Sequence, residues 1–120
     1  MINDYSEYNY LPLVKTTDAE LKGFRHLSDE VKSGILPIFE LTRSRKSKNN
    51  PESSVFKRVQ NIKDDHPDRP FILDLTTEES LRNQQIIDLY NPENGYENWQ
   101  QFLKSEEVPD CIPALNVIRN

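Results

Sequence analysis

Four short apolar runs recur along the chain, each with a proline near its start and a polar residue at its end. Leu11-Pro12-Leu13-Val14 leads to Lys15, and Leu36-Pro37-Ile38-Phe39 leads to Glu40. Pro70-Phe71-Ile72-Leu73 leads to Asp74, and Ile112-Pro113-Ala114-Leu115 leads to Asn116. Runs of this length between turn residues read as strands, and near-continuous apolar character is what parallel strands covered on both faces require. Proline is tolerated near a strand's first residue, where its missing N–H removes no central ladder bond. The pattern predicts strands over 10–15, 36–42, 71–75 and 112–118.

The segments between the runs switch to helical spacing. Leu21, Phe24, Leu27, Val31 and Ile35 make one apolar stripe of a single predicted helix. Thr17 and Glu20 fit a capping box at its start, and Gly34 fits a left-handed terminator at its end. Ser54 is placed to cap a second helix with Val55, Val59 and Ile62 on one face. Thr77 opens a helical piece ending near Tyr90, and Asn91-Pro92-Glu93-Asn94-Gly95 is a turn cluster. Tyr96, Trp99, Phe102 and Leu103 mark a last amphipathic helix.

Strands alternating with helices predict an α/β fold of consecutive βα units with parallel strands. An open sheet and a barrel both satisfy this pattern. The chain has three glycines and no Gly-rich phosphate loop after its first strand, which favours the barrel. Four strands alone would leave two open edges. Residues 10–120 are therefore expected to be the N-terminal half of a (βα)8 TIM-like barrel, after a lead-in over 1–9. The expected completion is either a longer chain or self-association of two copies through the open edges.

Composition narrows the function. The chain has 120 residues and a formal net charge of −5, which argues against general nucleic-acid binding. One cysteine, Cys111, excludes a disulfide framework and a cysteine-based zinc site. No run approaches the roughly 20 apolar residues of a membrane span, and the N-terminus lacks signal-peptide features. A cytoplasmic location is expected.

In parallel α/β folds, ligands bind at the C-terminal ends of the strands, so the polar residues closing the runs are the candidate site. Lys15, Glu40 and Asp74 are the candidate catalytic group. Glu40 and Asp74 could ligate a divalent metal such as Mg²⁺ or act as general acid and base. Lys15 could hold a phosphate or carboxylate, or form a Schiff base if desolvated. The competing reading is a structural salt bridge from Lys15 or Arg43 to these carboxylates. Arg43, Asn116 and Glu20 are candidate substrate contacts for a small anionic ligand, with Glu20 also explained by the capping box. Arg43, Arg45, Lys46 and Lys48 read either as a phosphate contact or as a solvated loop. His26 and His66 have no ligand spacing and read as surface or helix-end residues. Trp99, Tyr96 and Phe102 read as helix packing.

Pro12, Lys15, Glu20, Phe24, Leu27, Val31, Lys32, Ile35, Pro37, Glu40 and Leu41 together resemble the N-terminal pattern of the "beta protein" family of bacteria and phages. The pattern departs at Ala19 and at Thr42-Arg43, and it covers about the first third of the chain. The resemblance implies full-length chains about three times longer, the size of a complete (βα)8 barrel. It also implies a phage or phage-defence setting, with no reaction attached. An enzyme with its site at the barrel mouth and a non-enzymatic interaction protein on the same scaffold both fit.

Overall fold

The four runs lie side by side in one sheet. The computed structural model describes residues 10–49, 51 and 53–114. β1 (Leu13–Lys15), β2 (Ile38–Leu41), β3 (Ile72–Leu75) and β4 (Ile112–Pro113) follow the order β1-β2-β3-β4, and every neighbouring pair is parallel. α1 (Asp18–Arg25) and α2 (Asp29–Ser33) connect β1 to β2, and α3 (Val55–Asp65) connects β2 to β3. A 3-10 turn (Glu79–Leu81), α4 (Gln84–Leu89) and α5 (Glu93–Leu103) connect β3 to β4. The chain is thus α/β with consecutive βα units and parallel strands. Two of the prolines stand just ahead of their strands and give only carbonyls to the ladder: Pro12 O accepts from Ile38 N (2.8 Å) and Pro37 O from Ile72 N (2.9 Å).

Register sorts the side chains onto two faces, because neighbours across parallel strands point the same way. Val14, Phe39 and Leu73 are in register. They are 8%, 0% and 1% exposed and join the core with Leu21 and Phe24 of α1, Val59 and Ile62 of α3, and Trp99 and Phe102 of α5. Phe39 packs edge-on against Phe24 (centroids 5.2 Å apart) and Phe71 (5.5 Å). Leu13, Ile38, Ile72 and Ile112 form the adjacent row on the opposite face. There Leu13 is 55% exposed and the three isoleucines are half-buried. Helices therefore cover the strands on one face, the arrangement that right-handed crossovers in a barrel place them in.

The first helix differs from its sequence expectation. It breaks at residues 26–28, where the Ser28 hydroxyl accepts from Val31 N (3.2 Å) and opens α2. The break turns Leu27 and Val31 outward (38% and 46% exposed) and brings Lys32 in (8%). Lys32 Nζ donates to the carbonyls of Asp65 (3.0 Å) and Arg25 (3.4 Å) and lies 5.3 Å from the centre of the Phe24 ring. Gly34 caps α2 at φ −96°, in the right-handed region rather than the left-handed one expected. Thr17 sits at the N-cap of α1 but its side chain caps nothing, so the capping box does not form. Ser54 does cap α3, accepting from Phe56 N (3.2 Å). Asn83, not Thr77, caps α4. The Asn-Gly turn shapes the entry to α5, where Asn94, Gly95 and Tyr96 have φ of +54°, +68° and +61°. The expected extension of the fourth strand over 115–118 and the lead-in over 1–9 lie outside the described residues.

Candidate functional site

Lys15, Glu40 and Asp74 stand in one register row on adjacent strands. Their side chains leave the helix-free face at the C-terminal end of the sheet, on backbones about 4.8 Å apart from strand to strand. The sequence repeat and the sheet register thus bring the same three residues together. Glu40 is 6% exposed and Asp74 1%.

Among the described residues, neither Lys15 nor Arg43 forms an ion pair with Glu40 or Asp74. Lys15 Nζ pairs instead with Glu78 Oε1 at 3.1 Å, the two side chains being 25% and 50% exposed. The hydrogen bond that Lys15 donates to Glu78 raises the Lys15 pKa against the lowering effect of burial, and the charges of Glu78, Glu40 and Glu20 raise it further. Arg43 turns away from the carboxylates: its guanidinium donates to Ser80 O and Ser44 O (both 3.4 Å). Asp74 Oδ1 accepts from Leu75 N (2.8 Å). Among the described residues, no hydrogen bond or ion pair reaches the Glu40 carboxylate.

Glu20 serves the edge of β1, its carboxylate accepting from Lys15 N (3.0 Å). That N–H faces away from β2, where an edge strand would otherwise offer an unmet donor. Asn116 lies outside the described residues. The β3–β4 register pairs Leu73 with Pro113, so it is Ala114 that follows beside Asp74, with Ala114 N donating to Leu73 O (2.9 Å).

Sequence reading missed the fully buried threonines that shape the exits. Thr16, Thr42 and Thr76 are each 0% exposed and directly follow the strand residues Lys15, Leu41 and Leu75. Thr16 Oγ1 accepts from Thr42 N (2.9 Å) and lies 3.0 Å from Thr42 Oγ1, tying the first exit to the second. Thr76 Oγ1 accepts from Glu78 N (3.1 Å), which fixes the turn that carries Glu78 toward Lys15. Tyr90 Oη donates to Leu75 O (2.8 Å) and Thr76 O (3.0 Å), anchoring the third exit to the end of α4. A threonine after each of the first three runs was the available signal.

The basic loop is exposed over residues 45–49. It borders an open groove of about 720 Å³ lined by Arg45, Lys57 and Arg58 but also by Asp18 and Glu107. Arg58 is buried and pairs with Asp18 at 2.7 Å. That hydrogen bond lowers the Asp18 pKa, and the charges of Arg58 and Arg45 add to it. Mixed charge makes this a bracing surface for the loop more than an anion seat. His26 is exposed. His66 ends α3 as expected, yet it is 2% exposed, so the surface reading is corrected: Phe24 and Phe39 close over it. Trp99 stacks on Phe102 (5.8 Å) inside the helix layer. Among the described residues no group of three or more His, Cys, Asp and Glu side chains converges as a metal cage, and no helix is long and apolar enough to cross a membrane.

A family profile described as Beta protein matches residues 10–120. Over 113 residues the chain is 34% identical to a protein described as Protein beta from Enterobacteria phage P4. The alignment covers 94% of this chain and 30% of that relative, so the chain spans less than a third of the relative's length. No solved structure matches the chain.

Proposed function

The chain belongs to the Beta protein family, and from that premise we propose that it supplies the first βα units of a (βα)8 barrel whose polar ligand or active site uses Lys15, Glu40 and Asp74 in a phage-related process. Consecutive parallel strands in sequential order, with the helix-packed residues all on one face, support the barrel. So does the layering of the other face, where an apolar row (Leu13, Ile38, Ile72, Ile112) precedes the charged row. Barrel interiors are filled by such layers, with chemistry at the C-terminal rim.

The observation that carries the site is Glu40. A carboxylate with 6% exposure that makes no hydrogen bond or ion pair among the described residues, with the charge of Lys15 acting on it across the row, adds less to the stability of the fold than a paired one would. Such a group fits a site awaiting a ligand, since functional sites hold charge at the expense of stability. Glu40→Gln removes the charge and keeps the shape. Urea unfolding is expected to show a gain of about 1 kcal/mol or more. A loss of stability would identify Glu40 as a structural ion-pair member and end the site reading. A non-enzymatic interaction role on the same scaffold draws support from the exposed apolar residues Tyr10, Leu11, Leu13, Leu27 and Val31 around β1.

A further inference from the structure

The outer flank of β1 combines an open strand edge with an apolar groove. Ile38 N donates to Pro12 O and Thr16 N to Glu40 O, so the even-numbered residues of β1 turn their peptide groups to β2 and the odd-numbered ones turn theirs outward. Pro12, the residue without an N–H, faces β2, which leaves the outer edge its full set of donors. Lys15 N is met there by the Glu20 carboxylate (3.0 Å). Among the described residues, the outward N–H and C=O groups of Leu11 and Leu13 make no such bond. Beside this edge, an open groove of about 340 Å³ is lined by Pro12, Val14, Phe24, Leu27, Val31 and Ile35. Gly23 lines it too, from inside α1. Glycine there weakens the helix relative to alanine, its φ is not left-handed, and a methyl group added to it would meet no atom within 4 Å. The packing of the described residues does not require glycine at this position, whereas close approach of another backbone does.

We propose that this flank seats a βα unit of the full-length family protein from outside these 120 residues, an inference that rests on the barrel reading above. Its strand runs parallel to β1 and bonds to Leu11 and Leu13, and the pairing stops at Lys15, where Glu20 already takes the N–H. Its helix is amphipathic and lays an aliphatic face on Gly23, Leu27 and Val31. Right-handed crossovers carry such a helix to the same side of the sheet as α1 and α3, which is the side of the groove. The chain spans less than a third of the length of the phage P4 relative, so a full-length member has the chain to supply this unit. A second copy of the 120 residues fits the seat poorly. Its open edge strand is β4, where Ile112 N and Ala114 N bond to β3 and Pro113 turns outward with no N–H to offer. Residues 114–120 follow that strand, enough for at most about two turns of helix.

The test co-expresses the 120-residue chain with the rest of the phage P4 relative as a second chain. The two are expected to co-purify, with amide exchange at Leu11 and Leu13 slowed about tenfold or more relative to the 120-residue chain alone. Gly23→Gln is expected to act with opposite signs in the two settings. It raises the urea midpoint of the chain alone, as a better helix former with room for its side chain, and it weakens the assembly about tenfold or more by filling the place of the incoming helix. If the two parts do not assemble, one fused chain, the relative with its aligned segment replaced by this one, gives the same exchange readout, and there Gly23→Gln lowers the urea midpoint. An assembled form in which Leu11 and Leu13 exchange as fast as in the chain alone, or which is indifferent to Gly23→Gln, overturns the seat and leaves the barrel reading standing. Failure of both forms to assemble overturns the two together. Slow exchange already present in the chain alone overturns the occupant: dependence on concentration identifies a second copy, and independence identifies residues 1–9. The Glu40→Gln measurement needs no partner, so the site reading is decided separately.

Discussion

His66 is the clearest case of a residue whose behaviour follows from burial. Its ring stands edge-on to Phe24 (5.3 Å) and Phe39 (6.0 Å). Nε2 lies 3.3 Å from Pro70 O, and Nδ1 is buried without a partner among the described residues. Burial pushes its pKa below the ordinary 6.5, the Pro70 carbonyl opposes this, and the charges of Arg69 and Lys32 push the same way as burial. Unfolding therefore takes up a proton between the depressed folded pKa and 6.5, so stability rises with pH across that window. Urea unfolding is expected to show full stability above pH 6.5 and a progressive loss as pH falls below it, with the slope reduced in His66→Gln. The contribution of Asp18, whose pKa is lowered by Arg58 from 3.8, persists at these pH values. It is lost only as pH falls below 3.8 through the folded pKa, so the two effects separate. At this scale the sequence disclosed Lys15, Glu40 and Asp74 through the repeated runs, because position along a strand is a local property. It could not disclose Glu78 as the partner of Lys15, since that pair spans 63 residues and depends on a turn set by Thr76.

The break between α1 and α2 shows how one local signal defeats another at the scale of an element. The apolar spacing from Leu21 to Ile35 predicted one continuous helix. Ser28 followed by Asp29 and Glu30 is itself a start signal, a capping hydroxyl ahead of acidic residues in a first turn, and it prevails. The cap changes which residues meet the core: Phe24 stays in, Leu27 and Val31 turn out, and Lys32 reaches the end of α3. Ser28→Ala is expected to lower stability by about 1 kcal/mol, read as a lower urea midpoint with an unchanged slope. A change much below this would mean that tertiary packing, not the cap, holds α2 in place.

For the molecule as a whole, the two faces of the sheet divide the labour. Helices close over one, while the other carries an apolar row ending in charge. Apolar area of this kind is what a barrel buries inside itself, and exposed edges and faces drive association when closure is missing. Leu13, 55% exposed, gives a measurable contrast. Leu13→Lys is expected to leave the stability of the chain within about 0.5 kcal/mol, as for a surface position, and to reduce the concentration-dependent mass seen by light scattering. A large loss of stability would place Leu13 inside a closed core already formed by the chain.

The chain's own pattern determined the α/β class, the four runs and the three polar residues that close the first three. Each is settled by periodicity and spacing over a few residues, which physics reads locally. Only the tertiary structure decided the order of the strands in the sheet and that Lys15 turns to Glu78. It alone buried Glu40 with no hydrogen bond or ion pair among the described residues and sealed His66 between two phenylalanines. Those outcomes rest on contacts between segments distant along the chain, where burial and competition for the same charge, not local preference, select the arrangement.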